Sequence, residues 1–190
     1  MLHKPVKFKK AIRLSPLAYR GMSCYFVTVC CHDRKTIFAS PARCQWLIDI
    51  FRAESAARDF VIHAYCVMPD HFHFLVEGIS STSDLLGFVK SFKIKSTRLY
   101  ERETSQVLWQ KRYFDHILRS AESPESVAWY IWTNPVREGL SLSVGEYRFA
   151  GSFTGLMERS VSQPDSWAPP CRSAKRPPQK AAATMSTAKA

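Results

Sequence analysis

The sequence predicts an α+β fold, a ferredoxin-like sandwich with a mainly antiparallel sheet, helices on one face and a disordered basic C-terminal tail. Three observations predict it. Strand-like and helix-like segments follow one another in the order β-α-β-β-α-β-α. Two of the strand-like runs are separated only by Pro69-Asp70, which does not suit a doubly wound sheet. Beyond about residue 158 the composition changes to Ser, Pro, Ala, Lys and Arg, with little left to bury.

Residues 1–20 carry six Lys/Arg and no acid, so they read as a basic arm, with Leu14 to Tyr19 packing onto the body. Tyr25 to Cys31 is aromatic and β-branched, a buried strand. His32-Asp33-Arg34-Lys35 is a polar break. Ser40-Pro41 reads as an N-cap with proline at the first helical position. Cys44, Leu47, Ile48 and Phe51 then follow at helical spacing, which gives a helix over 41–58. Residues 60–68 and 71–77 read as strands. A second helix spans 83–102, with Leu85, Phe88, Val89, Phe92 and Leu99 on one face and Lys90, Lys93 and Arg98 opposite. A strand or extended segment covers 107–119, and Ser123-Pro124-Glu125 starts a helix leading into VAWYIWTNPV. The chain divides into the arm (1–20), one domain (21–158) and the tail (159–190).

At 190 residues and 46% hydrophobic, with 12 Phe, 7 Tyr and 5 Trp, the chain can build one real core. Its formal net charge of +11 favours an acidic polymer as partner. No run of about 18 apolar residues is present, which argues against a membrane span. The N-terminus lacks the apolar stretch of a secretory signal. The six cysteines form no C-x-x-C pair and fall mostly in apolar runs, so they read as buried reduced thiols in a reducing cytosol. Zinc-ribbon and disulfide scaffolds are set aside.

Three features carry chemistry. In HFHF, strand alternation turns His71 and His73 to one side and Phe72 and Phe74 to the core. The histidine Cα atoms then lie roughly 6.6 Å apart, close enough for both rings to reach one divalent ion. A bare H-x-H pair is more often two solvent-facing histidines. Tyr130 and Asn134 are four apart on one helix face, and Pro135 places Asn134 at a helix end or kink. Such a pair is more often a packing tyrosine with an asparagine ending its helix. Lys90 to Arg119 holds eight Lys/Arg against three acids, with Trp109, Tyr113 and Phe114 among them. Such a mixture can neutralise phosphates and stack on unpaired bases, although a solvated helix face and a core strand would read alike.

In combination these features resemble the tyrosine (Y1) transposases of the HUH type, specifically the REP-associated, IS200-like branch. The resemblance covers residues 12–150. It rests on RLSPLAYRGMSCYFVTVCCHDRKTIF, HAYCVMPDHFHFLVEG, LWQKRYFDHILR and WYIWTNPVREGL, in that order and spacing. It implies His71 and His73 as metal ligands, Tyr130 as nucleophile and Asn134 where relatives carry a third polar ligand, commonly Gln or His. Tyr113 is the competing tyrosine, but it lies outside the helix. Mg²⁺ or Mn²⁺ is the implied ion.

The implied activity is nicking and rejoining of single-stranded palindromic hairpin DNA through a 5′-phosphotyrosine, in a bacterial, nucleoid-associated cytoplasmic protein acting as monomer or homodimer. Lys9, Lys10, Arg13, Lys90, Lys93, Arg98, Lys111 and Arg112 are the expected DNA-gripping residues. Three other readings compete with it. One is a domesticated hairpin-binding protein without catalysis. Another is a metallohydrolase using Asp70, His71 and His73 with water. The third is an RNA-binding module, which the missing RNP1 pattern disfavours.

Overall fold

The computed structural model describes residues 14–159 and 167–169. Lys9, Lys10 and Arg13 of the expected arm, and most of the expected tail, lie outside that range.

The principal elements are β1 (Cys24–Cys30), α1 (Pro41–Ala56), β2 (Phe60–Met68), β3 (His71–Gly78), α2 (Leu85–Thr104), β4 (Phe114–Ile117), α3 (Pro124–Trp132), α4 (Asn134–Arg137), β5 (Ala150–Gly151) and α5 (Leu156–Arg159). The first seven follow the expected β-α-β-β-α-β-α order. The sheet runs β4-β1-β3-β2-β5, with every neighbouring pair antiparallel. Its first four strands have the order of a ferredoxin-like sheet, as expected from the sequence.

Helices α1 and α2 cover one face. Cys44, Leu47, Ile48 and Phe51 of α1 meet Leu85, Phe88, Val89 and Phe92 of α2 over Phe72, Phe74 and Val76. Leu99, expected on that face, is half-buried, and Tyr100 takes the buried place beside it. Phe51 is the hub, with ring centroids 4.9 Å from Phe72, 4.8 Å from Phe74 and 5.6 Å from Phe92. The opposite face carries a second cluster, in which Val127, Ala128, Ile131 and Trp132 of α3 pack on Phe26, Ala64, Cys66, Met68 and Leu75. Trp132 Nε1 donates to Gly151 O at 3.0 Å, which ties α3 to β5. A Cβ on Gly151 would stand 2.9 Å from the Tyr65 hydroxyl, so glycine permits that approach.

Some local expectations shift. Ser40 makes no side-chain cap to α1, which begins at Pro41, whereas Ser123 accepts from Ser126 N at 3.2 Å and does cap α3. Of 107–119 only Phe114–Ile117 is a strand. Trp109 makes an isolated bridge to Cys31, and the chain then leaves the sheet while Lys93 Nζ holds the carbonyls of Gln110 and Lys111 at 2.7 and 3.2 Å. Of Leu14 to Tyr19, Tyr19 is buried and donates to Asp115, whereas Leu14 and Leu17 face solvent.

Truncating the hub tests the core. Phe51→Ala is expected to lower unfolding stability by about 3–5 kcal/mol, read by chemical denaturation.

Candidate active site

The site grows from the centre of the sheet. Thr28 of β1 and Cys66 of β2 flank His73 of β3, and Cys30 and Met68 flank His71. Cross-strand partners share a face, so Thr28 stands beside His73 on the α3 side of the sheet while Phe72 and Phe74 go to the other. The two imidazoles meet edge to face, Nε2 to Nε2, at 2.9 Å. Each Nδ1 has its own partner, Asp70 Oδ1 at 2.5 Å for His71 and Thr28 Oγ1 at 2.7 Å for His73. Arg34 Nε in turn meets Asp70 Oδ2 at 2.8 Å. The polar break after β1 thus supplies the cation that steadies the carboxylate. Asp33 and Arg34 adopt left-handed φ values of 53° and 56° in that tight turn.

Burial pushes the His73 pKa well below its ordinary value, helped by the neighbouring charges of His71, Arg137 and Arg34. His73 is therefore neutral. Burial works against ionisation of Asp70, but the His71 N–H and the Arg34 charge outweigh it and hold the carboxyl below its usual range. With His73 neutral, a consistent assignment runs Thr28 O–H to His73 Nδ1, His73 Nε2–H to His71 Nε2 and His71 Nδ1–H to Asp70.

Tyr130 reaches the same surface from α3. Its ring lies 6.2 Å from that of His73 and 5.9 Å from that of Phe26, centroid to centroid. The Arg137 guanidinium sits 4.4 Å from its centroid. Arg137 is held there by Thr133 Oγ1 at 2.6 Å and Tyr130 O at 3.1 Å. Asn134 is buried, and its Nδ2 donates to Tyr130 O at 2.8 Å and Ile131 O at 3.3 Å. Among the described hydrogen bonds none joins Asn134 to either histidine. Its visible work is to satisfy the carbonyls where α3 ends and α4 begins.

Residues 21–134 match the family described as IS200-like transposases. The chain belongs to the IS200-like transposase family. This transposase is 26% identical to an uncharacterized protein of Haemophilus influenzae, over 69% of its own length and 90% of that protein. It is also 26% identical to the REP-associated tyrosine transposase of Escherichia coli K12, over 49% of its length and 54% of the relative. Its fold resembles the structure of a REP-associated tyrosine transposase bound to a REP hairpin, with TM-score 0.63 and 24% identity, covering 80% of this chain and 88% of that one.

The expected basic residues do not all surround the histidines. Lys90 and Arg98 are exposed on α2, which covers the face of the sheet opposite Tyr130. The Lys93 ammonium is engaged by the 110–111 carbonyls, and Lys111 and Arg112 are exposed in the loop before β4. Tyr113 lies beside Lys93, within 5.7 Å, and packs against the α1–α2 core. No helix among the described residues is long and apolar enough to cross a membrane, and all five described cysteines are free.

Sequence reasoning missed Thr28, Arg34, Arg137, His116, Glu122 and Trp167. Arg137 carried a usable signal, seven residues and two helical turns after Tyr130. Trp167 lies in the segment expected to be disordered, yet its indole rests on Phe26, Tyr130 and His116. Its Nε1 donates to Glu122 Oε1 at 2.8 Å. Glu122 also accepts from His116 Nε2 and from Arg119 N.

Burial opposes the Glu122 charge, but the hydrogen bonds from Trp167, Arg119 and His116 prevail and lower its pKa from 4.5 to about 2. A depressed carboxyl contributes stability in full above its unfolded pKa and loses it as pH falls through the folded one. The transposase is therefore expected to lose stability between pH 4.5 and about 2 in part through Glu122. Glu122→Gln should flatten that portion of the acid-unfolding profile.

Proposed function

We propose that this protein is a metal-dependent enzyme that nicks and rejoins single-stranded palindromic hairpin DNA, with Tyr130 as nucleophile. The observation that carries the reading is the convergence of the His71 and His73 Nε2 atoms, 2.9 Å apart, on the surface that also holds the Tyr130 ring. The family membership and the hairpin-bound relative of like fold support the same substrate class.

The donor set suits a divalent cation. Asp70 fixes the His71 proton on Nδ1, which leaves its Nε2 lone pair facing inward. Thr28 Oγ1 can donate to His73 Nδ1 or accept from it, so the His73 proton can move to Nδ1 and open its Nε2 as well. Among the described residues no cluster of three or more His, Cys, Asp or Glu side chains is placed to enclose a metal, so this is an open pair and not a closed cage. His71 and His73 would hold Mg²⁺ or Mn²⁺, with Asn134 as third ligand on the strength of the resemblance. When bound, that ion supplies Lewis-acid polarisation of a scissile phosphate oxygen.

The protein's own groups do the rest. The Tyr130 hydroxyl loses its proton as its oxygen attacks phosphorus, the bond to the 3′ oxygen breaks, and that oxygen takes up a proton to become a 3′-hydroxyl, so no net proton is consumed. The 5′-phosphate stays on Tyr130, and the reverse attack by a 3′-hydroxyl rejoins a strand. Arg137 stands beside the ring with positive charge for the incoming phosphate. Tyr130 lies against His73 of its own chain, which supports action in cis by a monomer. Lys111 and Arg112, and Lys9, Lys10 and Arg13 outside the described range, are the proposed further contacts to the DNA backbone. The expected setting is the bacterial nucleoid.

Incubation with labelled single-stranded hairpin DNA from beside the gene, with Mn²⁺ or Mg²⁺, should give a protein–DNA adduct on denaturing gels. Tyr130→Phe should abolish the adduct and leave hairpin binding within a few fold; an adduct formed by that variant would overturn the reading. Thr28→Val, which removes the hydroxyl that orients His73, should weaken Mn²⁺ binding by about 10–100-fold in calorimetric titration.

A further inference from the structure

The slot that holds Trp167 has the construction of a binding pocket. Phe26 of β1, 1% exposed, forms its floor, with ring centroid 5.1 Å from the indole. Tyr130 of α3 forms one wall at 5.3 Å and His116 of β4 another at 6.2 Å. Phe26 and His116 are cross-strand partners, so β1 and β4 present both rings on the Tyr130 side of the sheet. At the end of the slot stands the Glu122 carboxylate, not an apolar cap.

That carboxylate is fixed before any ligand arrives. Its Oε2 accepts from Arg119 N at 2.9 Å and from His116 Nε2 at 2.8 Å. Its Oε1 accepts from Trp167 Nε1 at 2.8 Å. An ionised carboxylate aimed at an aromatic slot is an expensive choice for core packing but suits an edge that carries an N–H donor. Indole is a flat bicycle with one such edge. Adenine and guanine are flat bicycles with N–H donors on theirs, and glutamate accepts readily from base amino groups.

We infer that the slot between Tyr130, His116 and Phe26, closed by Glu122, binds an unpaired purine of the DNA strand next to the nucleophile. The inference rests on the reading of Tyr130 given above. The base takes the place of Trp167, meets the Phe26 and Tyr130 rings edge to face as the indole does, and donates an N–H to Glu122 Oε1. A pyrimidine leaves the second ring's volume unfilled. Glu122 thereby selects the base, and the slot positions the phosphate attached to it beside the Tyr130 ring.

The test uses full-length protein and single-stranded hairpin DNA in which 2-aminopurine replaces, in turn, each unpaired base flanking the stem. Fluorescence quenching reports entry among the aromatic rings without cleavage, and adduct formation is followed on the same strands. One position should quench on binding, and a pyrimidine or abasic residue there should weaken binding by about fivefold or more. Glu122→Ala, checked for folding by its melting temperature, should erase the purine preference. Trp167→Ala should bind the purine strand more tightly, since the occupant is gone. No quenching at any position, or a purine preference unchanged in both variants, overturns the pocket. Quenching without adducts keeps the pocket and removes the nucleophile, whereas adducts without quenching do the reverse.

Discussion

Strand β3 lies between β1 and β2 in a register that places Thr28 and Cys66 beside His73, and that register decides the direction of every side chain in HFHF. Side chains alternate with a period of two, so a slip of one residue would turn the histidines into the α1–α2 core and Phe72 and Phe74 toward α3. The core prevents the slip. Phe72 and Phe74 are wedged against Phe51, Phe88 and Phe92, and only one register gives those rings a dry home. The aromatic core on one face thus holds the donor pair in place on the other.

A second constraint is electrostatic. The line from Arg34 through Asp70, His71 and His73 to Thr28 gives each ring nitrogen a partner, running from an exposed guanidinium to a buried imidazole. Burial of His73 favours its neutral form, the form in which an imidazole is a ligand. Asp70 counters the positive side of the line and is itself pinned by Arg34.

Tyr130 comes to this surface from a different layer. The paired helices α1 and α2 complete the sandwich by themselves, and α3 is laid on the opposite face, anchored by Trp132 to β5 and by Val127, Ala128 and Ile131 to the sheet. This leaves Tyr130 half-exposed at the edge of a buried cluster, with Arg137 over its ring and Trp167 against it. An aromatic residue in that position packs on the cluster with part of its ring still open to solvent.

The sequence by itself determined the element order, the apolar faces of α1 and α2, and the opposed directions of the histidines and phenylalanines. These follow from periodicity, which is a local property of the chain. Family membership was legible for a similar reason, since HFHF and YIWTNP are short motifs with a set separation. Local pattern did not say that α3 would lie on the face opposite α1 and α2, or that Ala150–Gly151 would add an edge strand. Nor did it say that only four residues of 107–119 would pair, because the Lys93 ammonium that holds the loop comes from another element. Thr28, Arg34, Glu122 and Trp167 were invisible as site residues for the same reason. Each is an ordinary residue type whose importance is its partner, and partners that lie 36 or 45 positions apart meet only when the chain has folded.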